Sequence, residues 1–343
     1  MRALWFLLVV ALALVGLMAL PGCAGTSSAN LDNPPSGLSL QPSNPSTRVN
    51  ERIKFTAISP GGFGGTLQWS ASAGSITQDG LFTAPSTPQS VTITASISGG
   101  PSTTTTVNVT EGVVVRITPT SGPVLSPGAV MKFAAIVDNA VNNGVVWSAT
   151  GGTVNSEGQF VAGGVGPYTV TARSVEDNDI SVSVSGEIVD SPRVRVNVEG
   201  RGEYVIALDR GAAPGTVTNF VNLVARNFYD GIIIHRYVAG FVVQMGDPLT
   251  KTLPLDDPAI GTGGPGYTIP FENSPLRHNK YAVAMALNAV RSDTAGSQFY
   301  IALEPQPTLD DDYCVFGNVV EGQAVVDTLR RGDRILSART EAP

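Results

Sequence analysis

An internal repeat constrains the fold of this chain more than any other feature of its sequence. Two stretches carry similar residues in the same order, and the members of each matching pair lie 78 positions apart. A spacing kept over this length predicts two copies of one structural unit. The matching fragments are Phe55-Thr56-Ala57 with Phe133-Ala134-Ala135, Trp69-Ser70-Ala71 with Trp147-Ser148-Ala149, and Gly74, Ile76, Gly80 and Phe82 with Gly152, Val154, Gly158 and Phe160.

Each copy has the pattern of a small antiparallel sandwich, because short alternating runs of β-branched residues lie between Gly, Pro and Asn turns, with no helical periodicity. On the Trp-Ser-Ala and Gly-x-Phe motifs, the pair resembles the immunoglobulin-like domains of bacterial surface proteins. We predict such domains at 38–111 and 112–190. Trp69 and Trp147 are expected to fill the cores between the sheets, and ligand binding by these rings is the alternative.

The N-terminal residues have the pattern of a bacterial export signal. A positive start is followed by an almost unbroken apolar run, and Leu20-Pro21-Gly22-Cys23 resembles a lipobox. We predict a signal peptide at 1–22, lipidation of Cys23 and a flexible linker at 23–37. The alternative is an uncleaved membrane helix, since about 18 apolar residues lie at the lower edge of a span. In both cases the chain is expected outside the cytoplasm, attached to the cell membrane or the outer membrane.

Composition sets limits on partners and compartments. The 343 residues suffice for two or three cores. The 21 basic and 28 acidic residues give a formal net charge of −7, without a Lys/Arg cluster, which disfavours nucleic-acid binding. Besides Cys23 the only cysteine is Cys314, which lies in an apolar run and is predicted to be a buried core residue.

The sequence pattern changes after about residue 190. Residues 193–199 and 203–208 alternate as two strands would, and 214–226 carry apolar residues at helical spacing after a proline. A second helix is predicted at 322–331, with short strands and Gly-rich loops before it. Many strands with two helices favour a barrel or an α+β domain.

A series of motifs within residues 193–335 follows the order seen in cyclophilins. These motifs are Thr218-Asn219-Phe220, Phe228-Tyr229-Asp230-Gly231, His235-Arg236, Gly240-Phe241, Gln244-Met245-Gly246-Asp247-Pro248, Gly263-Gly264-Pro265-Gly266-Tyr267, Ala284-Met285-Ala286, Gly296-Ser297-Gln298-Phe299 and Val315-Phe316-Gly317.

The resemblance implies a fold and an activity for residues 191–343. The fold is a closed eight-stranded antiparallel β-barrel with two capping helices, so the whole chain would be dominated by β-structure. The activity is peptidyl-prolyl cis-trans isomerisation, here expected to act on X-Pro bonds of unfolded exported proteins. We expect a monomer that needs no cofactor.

Isomerisation of an X-Pro bond requires neither a nucleophile nor a metal. The obstacle is amide resonance, with a barrier of about 18–20 kcal/mol, and the twisted transition state frees the lone pair of the prolyl nitrogen. A cationic donor aimed at that nitrogen stabilises the twisted form more than either planar form. Arg236 matches the catalytic Arg of the family, and Gln244 matches an active-site residue expected to reach the substrate backbone.

The resemblance also implies a binding pocket for the proline ring. Ala286 and Gln298 are expected to line the groove for the preceding residue, and Leu287 departs from the family pattern by replacing an Asn. The residues expected to form the pocket itself are Phe241, Val242, Tyr300, Leu309 and, at its rim, Tyr313.

Other chemistry is disfavoured. His235 and His278 have no metal-ligand spacing with the cysteines, and we predict no metal site. The Gly-rich segment 261–266 lacks the Lys-Ser/Thr pair of a phosphate loop and is expected to lie beside the groove. Two alternatives to an isomerase are a proline-peptide binding module without useful turnover and an adhesin or structural envelope lipoprotein that acts through its sandwiches.

Overall fold

The computed structural model describes residues 37–343. The predicted signal peptide and Cys23 lie outside the described residues, as does the predicted linker up to residue 36. The chain divides into two compact units with the boundary between Glu111 and Gly112. Across residues 37–343, no helix combines the length and the apolar character needed to cross a membrane.

The first copy of the repeat forms nine short strands. They are β1 (Ser39–Gln41), β2 (Ser46–Arg48), β3 (Arg52–Lys54), β4 (Thr56–Ile58), β5 (Leu67–Ala71), β6 (Ser75–Ile76), β7 (Leu81–Thr83), β8 (Gln89–Ile97) and β9 (Ser102–Thr110). The sheets have the strand orders β1-β4, β3-β7-β6 and β2-β9-β8-β5, and within them only the β2–β9 pair is parallel.

The second copy forms eight strands in the same general pattern. They are β10 (Val114–Thr118), β11 (Val130–Lys132), β12 (Ala134–Asp138), β13 (Val145–Thr150), β14 (Gly152–Val154), β15 (Gln159–Ala162), β16 (Gly166–Ser174) and β17 (Ser181–Ile188). Their sheets have the orders β10-β12, β11-β15-β14 and β13-β16-β17.

The repeat positions have the same structural roles in both copies. The Phe55 amide donates to the Gly80 carbonyl at 2.8 Å, and the Phe133 amide donates to the Gly158 carbonyl at the same distance. Both glycines have a positive φ, and a side chain at either would collide with the facing Phe carbonyl. Glycine is therefore required at this turn in each copy.

Phenylalanines, rather than tryptophans, occupy the centres of the two cores. Phe55 and Phe82 are fully buried with ring centroids 6.3 Å apart, and Phe133 and Phe160 form the same pair. The corresponding tryptophans, Trp69 and Trp147, pack against these cores and are only partly buried. The expectation that tryptophan fills each core is corrected: each ring covers the margin of the core beside the glycine turn.

Residues 193–343 form one antiparallel sheet with helices packed against it. The strands are β18 (Arg193–Val198), β19 (Gly202–Leu208), β20 (Arg236–Val238), β21 (Val242–Met245), β22 (Ala282–Met285), β23 (Phe299–Ala302), β24 (Val315–Glu321) and β25 (Ile335–Glu341). The helices are α1 (Pro214–Ala225) and α2 (Gln323–Thr328), with short 3₁₀ helices at Pro248–Lys251 and Pro307–Leu309.

This C-terminal sheet is curled but open. Its order is β20-β21-β23-β22-β24-β19-β18-β25, so β20 and β25 are edges. The segments that precede β20 and β25 are joined by one isolated bridge, Ile233 with Arg334, and by a few backbone hydrogen bonds, but the strands β20 and β25 themselves form no ladder. The predicted closed barrel is therefore wrong, and the fold is an open half-barrel dominated by β-structure.

Both faces of the sheet are covered where the central strands meet. Alternate residues such as Val243, Met285 and Ile301 face the main core, against which α1 packs Phe220 and Val221. The opposite face carries a second, smaller apolar cluster, which is formed by Val242, Ala282, Ala284, Tyr300, Ala302 and Val315. This second cluster is the floor on which the candidate site is built.

Candidate functional site

One row of residues crosses the strands on the outer face of the C-terminal sheet. Arg236 on β20 is the register partner of Gln244 on β21, and Gln244 is in turn the partner of Tyr300 on β23. Tyr300 also pairs with Ala284 on β22. Cross-strand partners point to the same face of a sheet, so the ladder brings a cation, an amide and an aromatic ring side by side.

A chain of side-chain amides orients the guanidinium of Arg236. Its Nη1 donates to Gln244 Oε1 at 3.1 Å, and Gln244 Nε2 donates to Gln298 Oε1 at 3.0 Å. Gln298 Nε2 donates to the carbonyls of Gly261 and Gly263 at 2.9 and 2.8 Å. Backbone carbonyls can only accept, so they fix the orientation of the Gln298 amide, which in turn fixes that of Gln244. The Gln244 oxygen therefore faces the guanidinium as an acceptor.

The Gly-rich segment is held in place from below by a buried carboxylate. Asp247 is fully buried and accepts hydrogen bonds from the backbone amides of Leu249, Gly261 and Gly263. A side chain at Gly263 would collide with this carboxylate, which explains the glycine there. The segment lies beside the groove, and its backbone supports the amide chain.

A cavity of about 220 Å³ opens beside Arg236. Of the residues predicted for the site, all except Gln298 line it, and Leu287 joins them. The residues that line the cavity are Arg236, Phe241, Val242, Gln244, Ala286, Leu287, Tyr300, Leu309 and Tyr313. Gln298 lines an adjoining cavity of about 160 Å³ that shares Gln244, Ala286 and Leu287 with the first.

The cavity is apolar on its floor and charged at one edge. Val242 and Tyr300 are buried, whereas Arg236 is exposed on the edge strand and its guanidinium carbon lies 5.7 Å from the centroid of the Phe241 ring. Burial raises the pKa of the Tyr300 phenol well above its usual value, so that group stays protonated. A ligand in the cavity would contact hydrocarbon on several sides and a cationic donor on one.

Two further residues beneath the cavity were not predicted as part of the site. His278 Nε2 lies 2.9 Å from the Tyr300 hydroxyl, and His278 Nδ1 lies 2.8 Å from Asp310 Oδ1. No spacing in the sequence joins these three residues, since they come from a loop, a strand and the end of a 3₁₀ helix. His278 is a polar residue that is buried, and only the structure reveals this burial.

His235 and Cys314 do not line the cavity. His235 precedes Arg236 but is buried, and that burial lowers the pKa of its imidazole. Cys314 is buried as predicted, and burial raises the pKa of its thiol to about 11. Within residues 37–343, no group of three His, Cys, Asp or Glu side chains is arranged to hold a metal ion.

Comparison with known proteins identifies the class. The family described as cyclophilin type peptidyl-prolyl cis-trans isomerase/CLD matches residues 193–343. Peptidyl-prolyl cis-trans isomerase B of Bacillus subtilis is 42% identical over 130 residues, which cover 38% of this chain and 85% of that protein. A peptidyl-prolyl cis-trans isomerase of Synechococcus elongatus is 45% identical over 129 residues, covering 37% of this chain and 81% of that protein.

One more relative and one solved structure are similar to this chain. A peptidyl-prolyl cis-trans isomerase of Helicobacter pylori is 39% identical over 141 residues, covering 40% of this chain and 80% of that protein. The crystal structure of a cyclophilin type isomerase from Cryptosporidium parvum aligns at 24% identity with a TM-score of 0.40, covering 45% of this chain and 99% of that one.

The chain belongs to the cyclophilin family through its C-terminal region. It is a peptidyl-prolyl cis-trans isomerase, as its sequence predicted. For the C-terminal region, the relatives favour the enzyme over a binding module without useful turnover.

Proposed function

We propose that this chain is a lipid-anchored, extracytoplasmic folding catalyst that isomerises X-Pro bonds in exported proteins, with Arg236 as the catalytic donor. The observation that carries the catalytic part is the position of Arg236. Its exposed guanidinium stands at the edge of a cavity with an apolar floor and is oriented by Gln244.

The cavity suits a proline ring because hydrocarbon and aromatic groups form its floor and walls. A ring seated there would place its peptide nitrogen near the charged edge. As the amide twists, its nitrogen becomes pyramidal and can accept a hydrogen bond from Arg236 that it cannot accept while planar. Because this interaction forms only in the transition state, it lowers the barrier without tightening substrate binding.

The neighbouring cavity extends the same groove away from Arg236. Gln298 and Ala286 line it, together with the backbone of the Gly-rich segment. We assign this region to the residue before proline and its backbone, which can hydrogen-bond to the exposed polar groups there. Leu287 replaces the Asn of the family pattern and contributes an apolar wall to both cavities.

A protease-coupled assay on a Xaa-Pro peptide, with the full-length protein, tests the role of Arg236. We expect Arg236→Ala to lower kcat about 100-fold, as removal of one transition-state donor does elsewhere. Arg236→Lys should recover only part of the rate, because an ammonium lacks the rigid fork of the guanidinium. Arg334→Ala is the control, since Arg334 pairs with Glu199 at 3.6 Å and does not line either cavity. Wild-type activity in Arg236→Ala would overturn the assignment.

The location of the enzyme is the second part of the proposal. The apolar run before Cys23 and the lipobox-like ending support cleavage after residue 22 and lipidation of Cys23. The two β-rich copies support an immunoglobulin-like spacer at 38–190 that holds the isomerase away from the membrane. Their shared glycine turn and paired phenylalanines support two copies of one structural unit.

Cell fractionation tests the anchor. We expect Cys23→Ser to release the protein from membranes, because two or more acyl chains would be lost together. Gly37→Ser is the matched control, since it lies outside the lipobox. Unchanged membrane retention of Cys23→Ser would favour an uncleaved apolar helix instead.

A further inference from the structure

His278 lies beneath the proline cavity, between its floor and one of its walls. The floor is Tyr300 on β23. The wall is the segment 306–313, here called the wall segment, which contributes Leu309 and Tyr313 to the cavity. His278 itself does not line the cavity, and its side chain is completely buried.

The imidazole is joined to the floor by one hydrogen bond. His278 Nε2 lies 2.9 Å from the Tyr300 hydroxyl, and both groups are buried. The two rings are nearly parallel, with an interplanar angle of 15° and centroids 5.9 Å apart. The rings of Tyr300 and Tyr313 are nearly perpendicular, with centroids 6.1 Å apart.

Three hydrogen bonds join the same residue to the wall segment. Asp310 Oδ1 accepts from the His278 backbone amide at 2.8 Å and contacts Nδ1 at 2.8 Å. The Gln306 amide donates to the His278 carbonyl at 2.7 Å. Within the segment, the Tyr313 amide donates to the Leu309 carbonyl at 3.2 Å, so anchoring Asp310 also holds the backbone that carries both cavity-lining side chains.

The donor and acceptor roles follow from the chemistry of the groups. An ionised Asp310 can only accept, so Nδ1 carries the proton and Nε2 accepts from the Tyr300 O–H. Burial lowers the pKa of His278, which keeps the imidazole neutral at pH 7. Burial alone would raise the pKa of Asp310, but the hydrogen bonds from His278 lower it below its usual value. All three groups are therefore in the required protonation states near neutral pH.

We propose that Tyr300, His278 and Asp310 form a positioning network that holds the floor and the wall of the proline cavity at a fixed separation. The proposal rests on the proposed function, in that this cavity binds the proline ring. None of the hydrogen bonds of the network reaches the edge where Arg236 stands. His278 and Asp310 are positioning residues, because they act through Tyr300, Leu309 and Tyr313.

The network should affect substrate binding more than turnover. A preformed cavity contacts the proline ring equally in the planar and twisted states, since rotation occurs at the peptide bond outside the ring. Loss of such uniform binding raises KM and leaves kcat nearly unchanged. Loss of Arg236 should instead lower kcat and leave KM nearly unchanged. The two kinds of variant therefore distinguish failure of this inference from failure of the catalytic assignment.

Tyr300→Phe in the full-length protein is the first test, because it removes only the hydroxyl and keeps the ring. We expect kcat/KM to fall about fivefold, mainly through KM, as loss of one buried hydrogen bond would predict. An unchanged KM, or a fall in kcat alone, would overturn the inference. Neither result would alter the expectation for Arg236→Ala.

A double-mutant cycle with Asp310→Asn is the second test. If the three residues act as a unit, the double variant should be no worse in KM than the more impaired single variant. Independent, multiplicative effects on KM would show that Asp310 and Tyr300 act separately and would overturn the proposal.

The dependence of KM on pH is a third readout. Below the usual imidazole pKa, protonation makes Nε2 a donor to the Tyr300 oxygen, so the hydrogen bond reverses and the buried phenol proton loses its acceptor. The charged and titratable groups around His278 are Asp310 and Tyr300 in direct contact, Arg277 paired with Asp310 and Asp311, and Tyr313 and Cys314 beside Tyr300.

We expect the wild-type KM to rise only as the pH falls below about 6.5, because burial lowers the pKa of His278 from that value, and the KM of Tyr300→Phe to stay level over the same range. Parallel pH profiles for the two proteins would contradict the network.

Discussion

Arg236 illustrates how a single exposed residue acquires a defined orientation. A guanidinium on an edge strand has many rotamers, and holding one of them costs side-chain entropy. Gln244 Oε1 accepts from it at 3.1 Å, Gln298 holds the Gln244 amide, and two glycine carbonyls hold the Gln298 amide in turn. The donor is therefore positioned before substrate arrives, which is the condition for electrostatic stabilisation of a transition state.

The two histidines of the chain predict how stability varies with pH. Burial lowers the pKa of both His235 and His278 from 6.5. The unfolded chain therefore binds more protons than the folded one below that value, and the free energy of unfolding should fall as pH falls through about 6.5. Denaturant titrations at about pH 7 and about pH 5 measure this change.

Proton NMR of the imidazole signals is the accompanying measurement, since only two histidines contribute. Both pKa values should lie below 6.5 in the folded protein. A free energy of unfolding that stays constant or rises at the lower pH would contradict this prediction.

Helix α1 shows how an element can depend on a residue far away in sequence. Its N-cap position, Ala213, offers no side-chain acceptor, and the first turn contains no acidic residue. The carboxylate of Glu272 supplies both, accepting from the Gly215 amide at 2.8 Å and the Thr216 amide at 2.6 Å. This carboxylate satisfies two amides that the helix leaves unpaired and places a negative charge at its positive end.

Glu272→Gln should destabilise α1 and, with it, the fold. The amide can accept one of the two hydrogen bonds but brings no charge, so we expect the free energy of unfolding to fall by about 1 kcal/mol. Glu304→Gln is the control, because Glu304 forms an exposed pair with Lys280 at 3.1 Å and such pairs contribute little. Equal effects of the two substitutions in denaturant titrations would contradict the capping role.

At the scale of the whole molecule, the second copy of the repeat and the C-terminal sheet share one apolar core. Strand β11 is an edge of its own sheet, and α1 covers that edge. The Val130 amide donates to Asn222 Oδ1 at 2.6 Å, and the Val130 carbonyl accepts from Arg226 Nη2 at 3.4 Å. Asn222 and Arg226 lie about one helical turn apart, so both reach the same residue of the edge strand.

Asn222→Ala tests whether this contact stabilises the second compact unit. The substitution leaves the Val130 amide without its acceptor, which should lower the free energy of unfolding by about 1–2 kcal/mol. Hydrogen exchange at the Val130 amide should accelerate as well. Asn143→Ala, at an exposed position of the second copy, is the matched control. Unchanged exchange at Val130 would show that the helix does not protect the edge.

Much of the site could be predicted from the sequence because its residues occur in local motifs. Arg236, Phe241 and Gln244 lie within nine consecutive positions, and strand pairing then places them together. His278 and Asp310 could not be assigned to the site, since they lie 32 positions apart and neither has a distinctive neighbour. Their roles depend on burial, which a single sequence does not reveal.

The sequence by itself determined the duplication, the β-rich character and the identity of the residues around the cavity. Periodicity, turn glycines and local motifs are properties of neighbouring residues and can be read in order along the chain. Only the tertiary structure decided that the sheet stays open, that phenylalanine fills each core, that Glu272 caps α1 and that His278 supports the cavity. These features depend on contacts between segments that are distant in sequence. Local sequence patterns are compatible with several such contacts, and close packing together with the need to pair buried polar groups selects one of them.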